Sequence, residues 1–270
     1  MRRRRPTRAR PAARLAACVA LALALPARAL VVDGDPAAAL REPAPGSPVA
    51  WVARLGGTGG VYLGAGWVVT ASHVGAQAIS IDGTSYPPVA GSWKPLRGEG
   101  ATGPDLGVFR VDPAPRLAPL EIARRAPALG EPLLLVAWGA GRGERLEWDG
   151  RVGFRWDPVY ARRWGRNRVA ATGLVVPDGQ HSTRAFATLF SPGEPEEAQA
   201  AHGDSGGGAF VLRRGSWRLV GILFSVVSLP GQPPGTAVGG NATNLADLSV
   251  YREEIEGITG LTGQGEPAGR

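Results

Sequence analysis

The sequence predicts an all-β protein, because short apolar or alternating runs follow one another along the chain and glycine and proline separate them. Six runs carry this prediction: PVAWVARLGG, GGVYLGAGWVVTAS, LGVFRVD, PLLLVAWG, GGGAFVLRRG and WRLVGILFSVVS. The 40 glycines and 24 prolines supply the turns between them. Runs of this length and spacing favour a β-barrel or a β-sandwich.

One helix is expected near the end of the chain. Five apolar residues recur there at helical spacing: Leu245, Leu248, Tyr251, Ile255 and Ile258. This period places them on one face of an amphipathic helix. We therefore expect a helix to close the fold, followed by a tail over residues 259–270.

The chain divides into two β units. Residues 112–132 contain five prolines and little strand signal, which is typical of a connection between domains. We place an N-terminal unit at 31–115, a linker at 116–132 and a C-terminal unit at 133–258.

Residues 1–29 have the composition of a secretory signal peptide. An arginine-rich start precedes a short apolar run, and a small-residue pattern, ARA, ends at Ala29. The stretch LAAC around Cys18 could also be a lipoprotein cleavage box, but the apolar run follows this cysteine instead of preceding it. We expect export, with the mature protein secreted or periplasmic and without a stable membrane anchor.

The basic composition comes from the leader. Eight of the 30 Lys and Arg residues lie there, and residues 30–270 carry 22 basic against 23 acidic side chains. The overall charge therefore gives no reason to expect nucleic acid as a partner. Residues 141–168 hold eight arginines interleaved with three tryptophans. Because four acidic residues are mixed in, we interpret them as exposed loops of the C-terminal unit rather than a nucleic-acid surface. The single cysteine, Cys18, also lies in the leader, so the mature chain has no internal disulfide.

Ser205, in AHGDSGGGAF, is a candidate nucleophile. A hydroxyl needs a base to take its proton and a third group to orient that base. His73 follows an apolar strand at a corner, where a packed core histidine is the alternative. Asp105 begins another apolar strand, where a turn residue is the alternative, and Asp82 is a second candidate for the carboxylate.

The glycines around Ser205 also have a candidate use. Gly203 lets the chain turn so that its own N–H and that of Ser205 point at one spot, as an oxyanion hole requires. The alternative is a flexible glycine-rich turn without chemistry.

Three strings in this order, GWVVTASH, DLGVFRV and GDSGGG, resemble the chymotrypsin-like (trypsin-fold) serine endopeptidases, in particular a bacterial-type member without disulfides. The resemblance extends over residues 31–258, from VVDGDPA to NATNLADLSVYREEI. It implies two packed six-stranded antiparallel β-barrels with a C-terminal helix. It also implies that His73 is the general base, Asp105 its orienting carboxylate and Ser205 the nucleophile of an acyl-enzyme mechanism.

The same resemblance suggests a substrate pocket. Gln199, six residues before Ser205, would form its base, and Phe224 and Ser225 would flank it. A neutral amide there does not support strict cleavage after Arg or Lys. The acidic run with Glu194, Glu196 and Glu197 is either a solvated loop or a source of one pocket carboxylate.

Asp204 would be the partner of a freed N-terminus, as is frequent in the family. That ammonium group would belong to Val31, although a cut after Ala29 leaves Leu30 in front of it. One residue is then trimmed, or export itself matures the enzyme, or another protease activates it. We expect no long propeptide.

The function expected from this set is an exported monomeric serine endopeptidase acting on proteins or peptides. We expect no metal and no other cofactor, because His181 and His202 are isolated in the sequence. The alternative is a non-catalytic binding protein on the same fold. The presence of all three triad residue types favours the enzyme.

Overall fold

The computed structural model describes residues 29–35, 37–99 and 102–262. Residues 1–28 of the predicted leader and residues 263–270 of the predicted tail lie outside the described residues. Across the described residues the chain is mostly β-strand, with one α-helix and two short 3₁₀-helices at Ala38–Leu40 and Pro48–Trp51.

The first β-sheet is built from the N-terminal third of the chain. The strands up to its end are β1 (Val31–Val32), β2 (Val52–Leu55), β3 (Thr58–Gly64), β4 (Trp67–Thr70), β5 (Ile79–Ile81), β6 (Thr84–Tyr86), β7 (Lys94–Pro95) and β8 (Gly107–Arg110). Strands β2 to β8 form one antiparallel sheet in the order β6-β5-β2-β3-β4-β8-β7. It therefore has seven strands where six were expected, because the two-residue β7 pairs along β8.

The second sheet contains the rest of the β structure. Its strands and their neighbours are β9 (Pro132–Trp148), β10 (Arg151–Pro177), β11 (Ser182–Leu189), β12 (Ala198–Gln199), β13 (Gly208–Arg213), β14 (Ser216–Val227), β15 (Thr236–Val238) and β16 (Ala242–Asp247). The order is β11-β16-β14-β13-β9-β10-β15, and β11 also pairs with β10. Six strands thus close into the expected ring. Strand β15 is a seventh, paired with the first part of β10 outside that ring.

The arginine-rich stretch 141–168 was expected to form exposed loops. It forms parts of two long paired strands instead. Strands β9 and β10 pair antiparallel from Pro132 to Arg168 and turn at Asp149 and Gly150. Both turn residues have positive φ, 50° and 67°, as a two-residue hairpin turn requires. The Asp-Gly pair was the sequence signal for this hairpin.

The predicted terminal helix, α1, spans Leu248–Thr259. It begins at Asp247, whose side chain accepts a hydrogen bond from the Ser249 N–H, and it ends at Gly260 with φ 71°. Leu245 therefore belongs to β16 and not to the helix, because the N-cap Asp247 starts the helix only at Leu248. Tyr251 is buried, and its hydroxyl accepts the Arg184 N–H at 2.6 Å, which joins α1 to β11.

The two sheets share one apolar core. One cluster of buried residues contains Val61 and Leu106 from the first sheet together with Phe210 and Ile222 from the second. Because this core is continuous, the loops where the two sheets meet are held on a rigid base. Among the described residues, no helix is both long enough and apolar enough to cross a membrane.

Replacing the N-cap residue, Asp247→Ala, should lower the free energy of unfolding by about 1 kcal/mol, because two donors of Ser249 lose their acceptor. Urea denaturation measures the change. Glu253→Ala, at an exposed position of the same helix, should change it by less than about 0.5 kcal/mol. Equal effects of the two substitutions would contradict the capping role.

Candidate active site

His73 and Asp105 are brought together by neighbouring strands. His73 follows the end of β4, and Asp105 precedes β8, which pairs with β4 at Thr70 and Gly107. The Asp105 carboxylate accepts two hydrogen bonds from His73, the backbone N–H on Oδ1 at 2.9 Å and Nδ1 on Oδ2 at 2.6 Å. The carboxylate is buried, and the imidazole is 45% exposed. This leaves Nε2 as the ring nitrogen available to a substrate side.

The Asp105 segment is fixed from behind by the second sheet. The Asp105 N–H donates to the hydroxyl of Thr183 at 2.9 Å, and Thr183 is fully buried at the start of β11. The hydrogen bond that His73 donates to Asp105 raises the pKa of His73, while burial opposes the shift and the charges of Asp105 and Asp178 add to it. His73 is therefore a stronger base than a free imidazole.

Asp82, the other candidate carboxylate, lies elsewhere. Its side chain is 67% exposed and forms an ion pair with Arg162 at 3.3 Å. It makes no contact with His73, which takes Asp105 instead. Asp82 occupies a turn with φ 46°, as its surrounding string, IDGTS, indicated.

Ser205 lies in the loop between β12 and β13, and this loop rests on the first sheet. The Gly59 N–H donates to the Ser205 carbonyl at 2.9 Å. The Gly59 carbonyl in turn accepts the hydroxyl of Thr70 at 2.8 Å. Thr70 ends β4, three residues before His73. The Ser205 loop is thus attached to the strand that carries His73.

The backbone at Gly203 is set for an anion-binding site. The carbonyl of His202 accepts the Ala140 N–H at 2.8 Å. In a planar trans peptide the next N–H points the opposite way, so the N–H of Gly203 points away from β9. Gly203 has φ 91°, which only glycine adopts readily. Within the described part of the chain, neither the Gly203 nor the Ser205 N–H has an acceptor.

A cavity of about 150 Å³ adjoins Ser205. Its walls include Phe224 and Ser225, as the sequence suggested, together with Trp156. Gln199 is not a wall residue: it is buried, and its amide donates to the Ala242 carbonyl at 3.0 Å.

The three glutamates of the acidic run also stay away from this cavity. Glu196 pairs with Arg166 at 2.7 Å. Glu197 accepts the Ser191 N–H at 3.3 Å, the charge of Glu194 acts on Glu197, and none of the three glutamates lines the cavity. Burial raises the pKa of Glu197 to about 7. The solvated-loop alternative therefore describes Glu194 and Glu196 better than a role in the pocket does.

Asp204 is buried beside the nucleophile, and its neighbour is Leu30 rather than Val31. Its Oδ2 accepts the Ala201 N–H at 2.7 Å. Burial raises the pKa of Asp204 to about 8, and the N–H groups of Ala201 and Leu30 and the charge of Arg163 oppose that shift.

Val31 pairs in β1 with Gln199 of β12. The backbone N–H of the preceding residue, Leu30, faces Asp204. The side chain of Leu30 is fully buried in the core of the second sheet. In the uncut chain the backbone N–H beside Asp204 is therefore that of Leu30, one residue before Val31. The residue that supplies the free ammonium group after cleavage stays a prediction.

The sequence suggested that His181 is isolated, but the structure gives it polar neighbours. Its Nδ1 lies 3.0 Å from Asp178 Oδ2, and polar atoms of Asp105, Asp178 and His181 lie within 4.8 Å of one another. Asp178 and His181 hydrogen-bond with each other, and Asp105 hydrogen-bonds with His73, so we assign no metal ion to these groups. His202 packs its ring edge-on against Tyr160, with 6.4 Å between centroids.

Sequence reasoning missed Thr183, Trp156 and Asp178. Thr183 and Trp156 lie in long strands, where polar and aromatic residues are common, so no local signal distinguished them. Asp178 stood in PDGQH, which indicates a turn. Only the pairing of β10 with β11 shows that this turn reaches Asp105.

The family model Trypsin matches residues 41–245, which include every residue of the predicted triad. The chain belongs to the trypsin family. It is a serine endopeptidase of the trypsin fold. No match was found among curated proteins.

Solved structures with the same fold come from bacteria and from animals. The Rv3671c protease of M. tuberculosis, in an inactive form, is 16% identical with a TM-score of 0.53, over 85% of this chain and 98% of that one. Neuropsin of mouse brain is 16% identical with a TM-score of 0.52, over 77% and 94%. A mutant of human heparin binding protein (CAP37) is 17% identical with a TM-score of 0.53, over 84% and 98%. These likenesses show the trypsin-like fold of the chain.

Gly206→Ala should destabilise the protein strongly. A Cβ there would lie 2.0 Å from the Gly59 carbonyl oxygen and 2.3 Å from the Thr70 hydroxyl, at a φ of +81°. We expect the free energy of unfolding to fall by about 3 kcal/mol or more. Gly215→Ala has nearly the same φ, +75°, and open space, so it should cost only about 1 kcal/mol. Similar losses in urea denaturation would show that the close approach of the two sheets does not matter.

Proposed function

We propose that this chain is an exported serine endopeptidase that cleaves peptide bonds through a His73, Asp105 and Ser205 triad. The observation that carries the proposal is the pair of hydrogen bonds between His73 and the buried Asp105 carboxylate, at 2.6 and 2.9 Å. These bonds leave Nε2 of His73 to act as the base. The attachment of the Ser205 loop to Gly59 and Thr70 supports its role as the nucleophile.

The reaction proceeds in two halves. Ser205 Oγ gives its proton to His73 Nε2 and bonds to the carbonyl carbon of the substrate, whose π electrons move to the oxygen. When the carbonyl re-forms, the C–N bond breaks and the leaving nitrogen takes the proton from His73. Water then gives a proton to His73 and attacks the acyl group. The acid leaves, and Ser205 recovers its proton.

The surrounding groups stabilise the charges that develop in these steps. Asp105 holds the ring of His73 in one orientation and stabilises the imidazolium. The N–H groups of Gly203 and Ser205, which have no acceptor in the described residues, stabilise the oxyanion. In acyl transfer the loss of one such donor typically costs about a hundredfold or more in rate.

The cavity beside Ser205 does not favour cleavage after Arg or Lys. Gln199 takes no part in its walls, and the carboxyl of Asp204 is engaged with backbone N–H groups. Trp156, Phe224 and Val226 make much of the lining apolar. We propose an uncharged residue before the cut bond, small enough for about 150 Å³.

Maturation is proposed to follow from removal of the leader. A cut after Ala29 would turn the Leu30 amide, which already faces Asp204, into an ammonium group. A buried carboxylate is costly without a charged partner, and this ammonium would supply one. No trimming to Val31 is then needed, and export itself would complete the site.

A fluorophosphonate probe tests the nucleophile without a known substrate. The purified mature protein should be labelled, and Ser205→Ala should not be labelled, because the probe bonds only to an activated serine hydroxyl. His73→Ala should lower the labelling rate by about a thousandfold or more. If the folded mature protein is not labelled, the alternative of a binding protein on this fold is favoured.

Three forms of the mature chain test the N-terminus, starting at Ala29, Leu30 and Val31. The form that starts at Leu30 should react fastest with the probe. The other two should react about tenfold more slowly, because their ammonium groups are displaced from Asp204 by one residue. Sequencing the N-terminus of the exported protein gives the natural start.

Asp204→Asn is the control for this comparison. It keeps the size of the side chain and removes its charge, so the differences among the three starts should disappear. An active exported form that begins beyond residue 36 would contradict the proposal.

A further inference from the structure

The turn between β10 and β11 carries a carboxylate and an imidazole that the mechanism above does not use. Asp178 and His181 face each other across this turn, with Nδ1 and Oδ2 3.0 Å apart. Asp178 Oδ1 also accepts the N–H groups of Gln180 and His181, at 3.0 and 2.7 Å. Three hydrogen bonds therefore fix the direction of the Asp178 carboxylate.

This turn is attached directly to the segment that carries Asp105. The Ser182 N–H donates to the carbonyl of Gly103 at 3.0 Å, and the Thr183 hydroxyl accepts the Asp105 N–H at 2.9 Å. The attachment brings the Asp178 carboxylate and the His181 ring within 4.8 Å of the Asp105 carboxylate. A second negative charge thus lies next to the buried one.

The charge of Asp178 acts on His73 as well. Burial works to raise the pKa of Asp178, but the hydrogen bonds from His181 and Gln180 hold it below its ordinary value, so the group is ionised at neutral pH. The charge of Asp178 is also one of the causes that raise the pKa of His73. A fixed anion beside the triad stabilises the imidazolium more than the neutral ring.

We propose that Asp178, held in place by His181, is a positioning residue that helps the triad by favouring the protonated form of His73 when Ser205 loses its proton. The effect on the reaction rate rests on the proposed function. The effect of the Asp178 charge on the protonation of His73 does not. Asp178 touches neither substrate nor reacting atoms. It acts through the field it adds to that of Asp105.

Other charged groups face the same region and also contribute to the electric field there. His181 lines a neighbouring cavity together with Lys94 and Arg97 of the segment around β7 and Glu254 of α1. Glu254 accepts the N–H groups of Arg97 and Gly98, at 2.7 and 3.1 Å. Asp178→Asn leaves Lys94, Arg97 and Glu254 unchanged.

The test is Asp178→Asn, which keeps the shape and the acceptor oxygen of the side chain and removes the charge. Activity is lost at low pH as His73 becomes protonated, so the midpoint of the acidic limb follows the pKa of His73. Without the Asp178 charge this midpoint should move to lower pH, by about half a unit. The plateau rate should fall about threefold, with KM little changed, because only the charge-separated state loses stabilisation.

Asp82→Asn is the matched control, since it removes one carboxylate from a turn that is remote from the triad. It should leave the midpoint and the plateau rate unchanged. His181→Asn keeps the Asp178 charge and should move the midpoint less than Asp178→Asn does. In about 1 M salt the shift caused by Asp178→Asn should shrink, because the screening length falls to about 3 Å.

Histidine NMR separates this inference from the proposed function. The pKa of His73 is measured in the Ser205→Ala background, with and without Asp178→Asn, where no proteolysis is required. A lower His73 pKa in the double variant supports the inference even if the protein proves inactive. Equal values, or a loss of rate without a shift of the acidic limb, would overturn it and leave Asp178 a purely structural turn residue.

Discussion

The contact between Gly59 and the Ser205 loop is the constraint on which the rest of the site depends. It joins the loop of one sheet to the strand of the other that leads to His73, through hydrogen bonds of 2.9 and 2.8 Å. Such an approach of two backbones leaves no room for a side chain at position 206, and a Cβ at Gly59 would lie only 3.2 Å from the Gly207 nitrogen. The Ser205 loop and the strand that leads to His73 are therefore held together at Gly59, by one backbone hydrogen bond and one from the Thr70 hydroxyl.

Two buried carboxylates, Asp105 and Asp204, flank this contact. Different groups compensate the free-energy cost of burying each of them. Asp105 accepts two hydrogen bonds from His73 and lies within 4.8 Å of polar atoms of Asp178 and His181. Asp204 receives backbone N–H groups, and its pKa is raised to about 8 in the uncut chain. A buried acid in this state gains stability when a cation arrives. The asymmetry accounts for why one carboxylate serves the reaction and the other serves maturation in our proposal.

Local strings predicted the β-strands, and the family resemblance of those strings implied the pairing of His73 with Asp105. Each string holds a strand together with a residue next to one of its ends, His73 after β4 and Asp105 before β8. The predictions that needed distant contacts were less accurate. In the uncut chain the N–H beside Asp204 is that of Leu30 and not of Val31, and the register of β1 against β12 cannot be read from either segment. Gln199 points into the sheet instead of the cavity, because a two-residue strand gives no clue to its inward face. His181 looked isolated because Asp178 read only as a turn residue and Asp105 comes from a distant segment next to the other sheet.

Strand β10 connects these features physically. Near its start Trp156 lines the cavity beside Ser205, and in its middle the charge of Arg163 opposes the rise of the Asp204 pKa. Just beyond its end Asp178 reaches the Asp105 segment. Its 27 residues pair with β9, β11 and β15, so its register is fixed along most of its length. A shift of one residue would reverse the inward and outward faces of the strand. In our proposals, the specificity, the maturation and the basicity of His73 therefore all depend on this one strand.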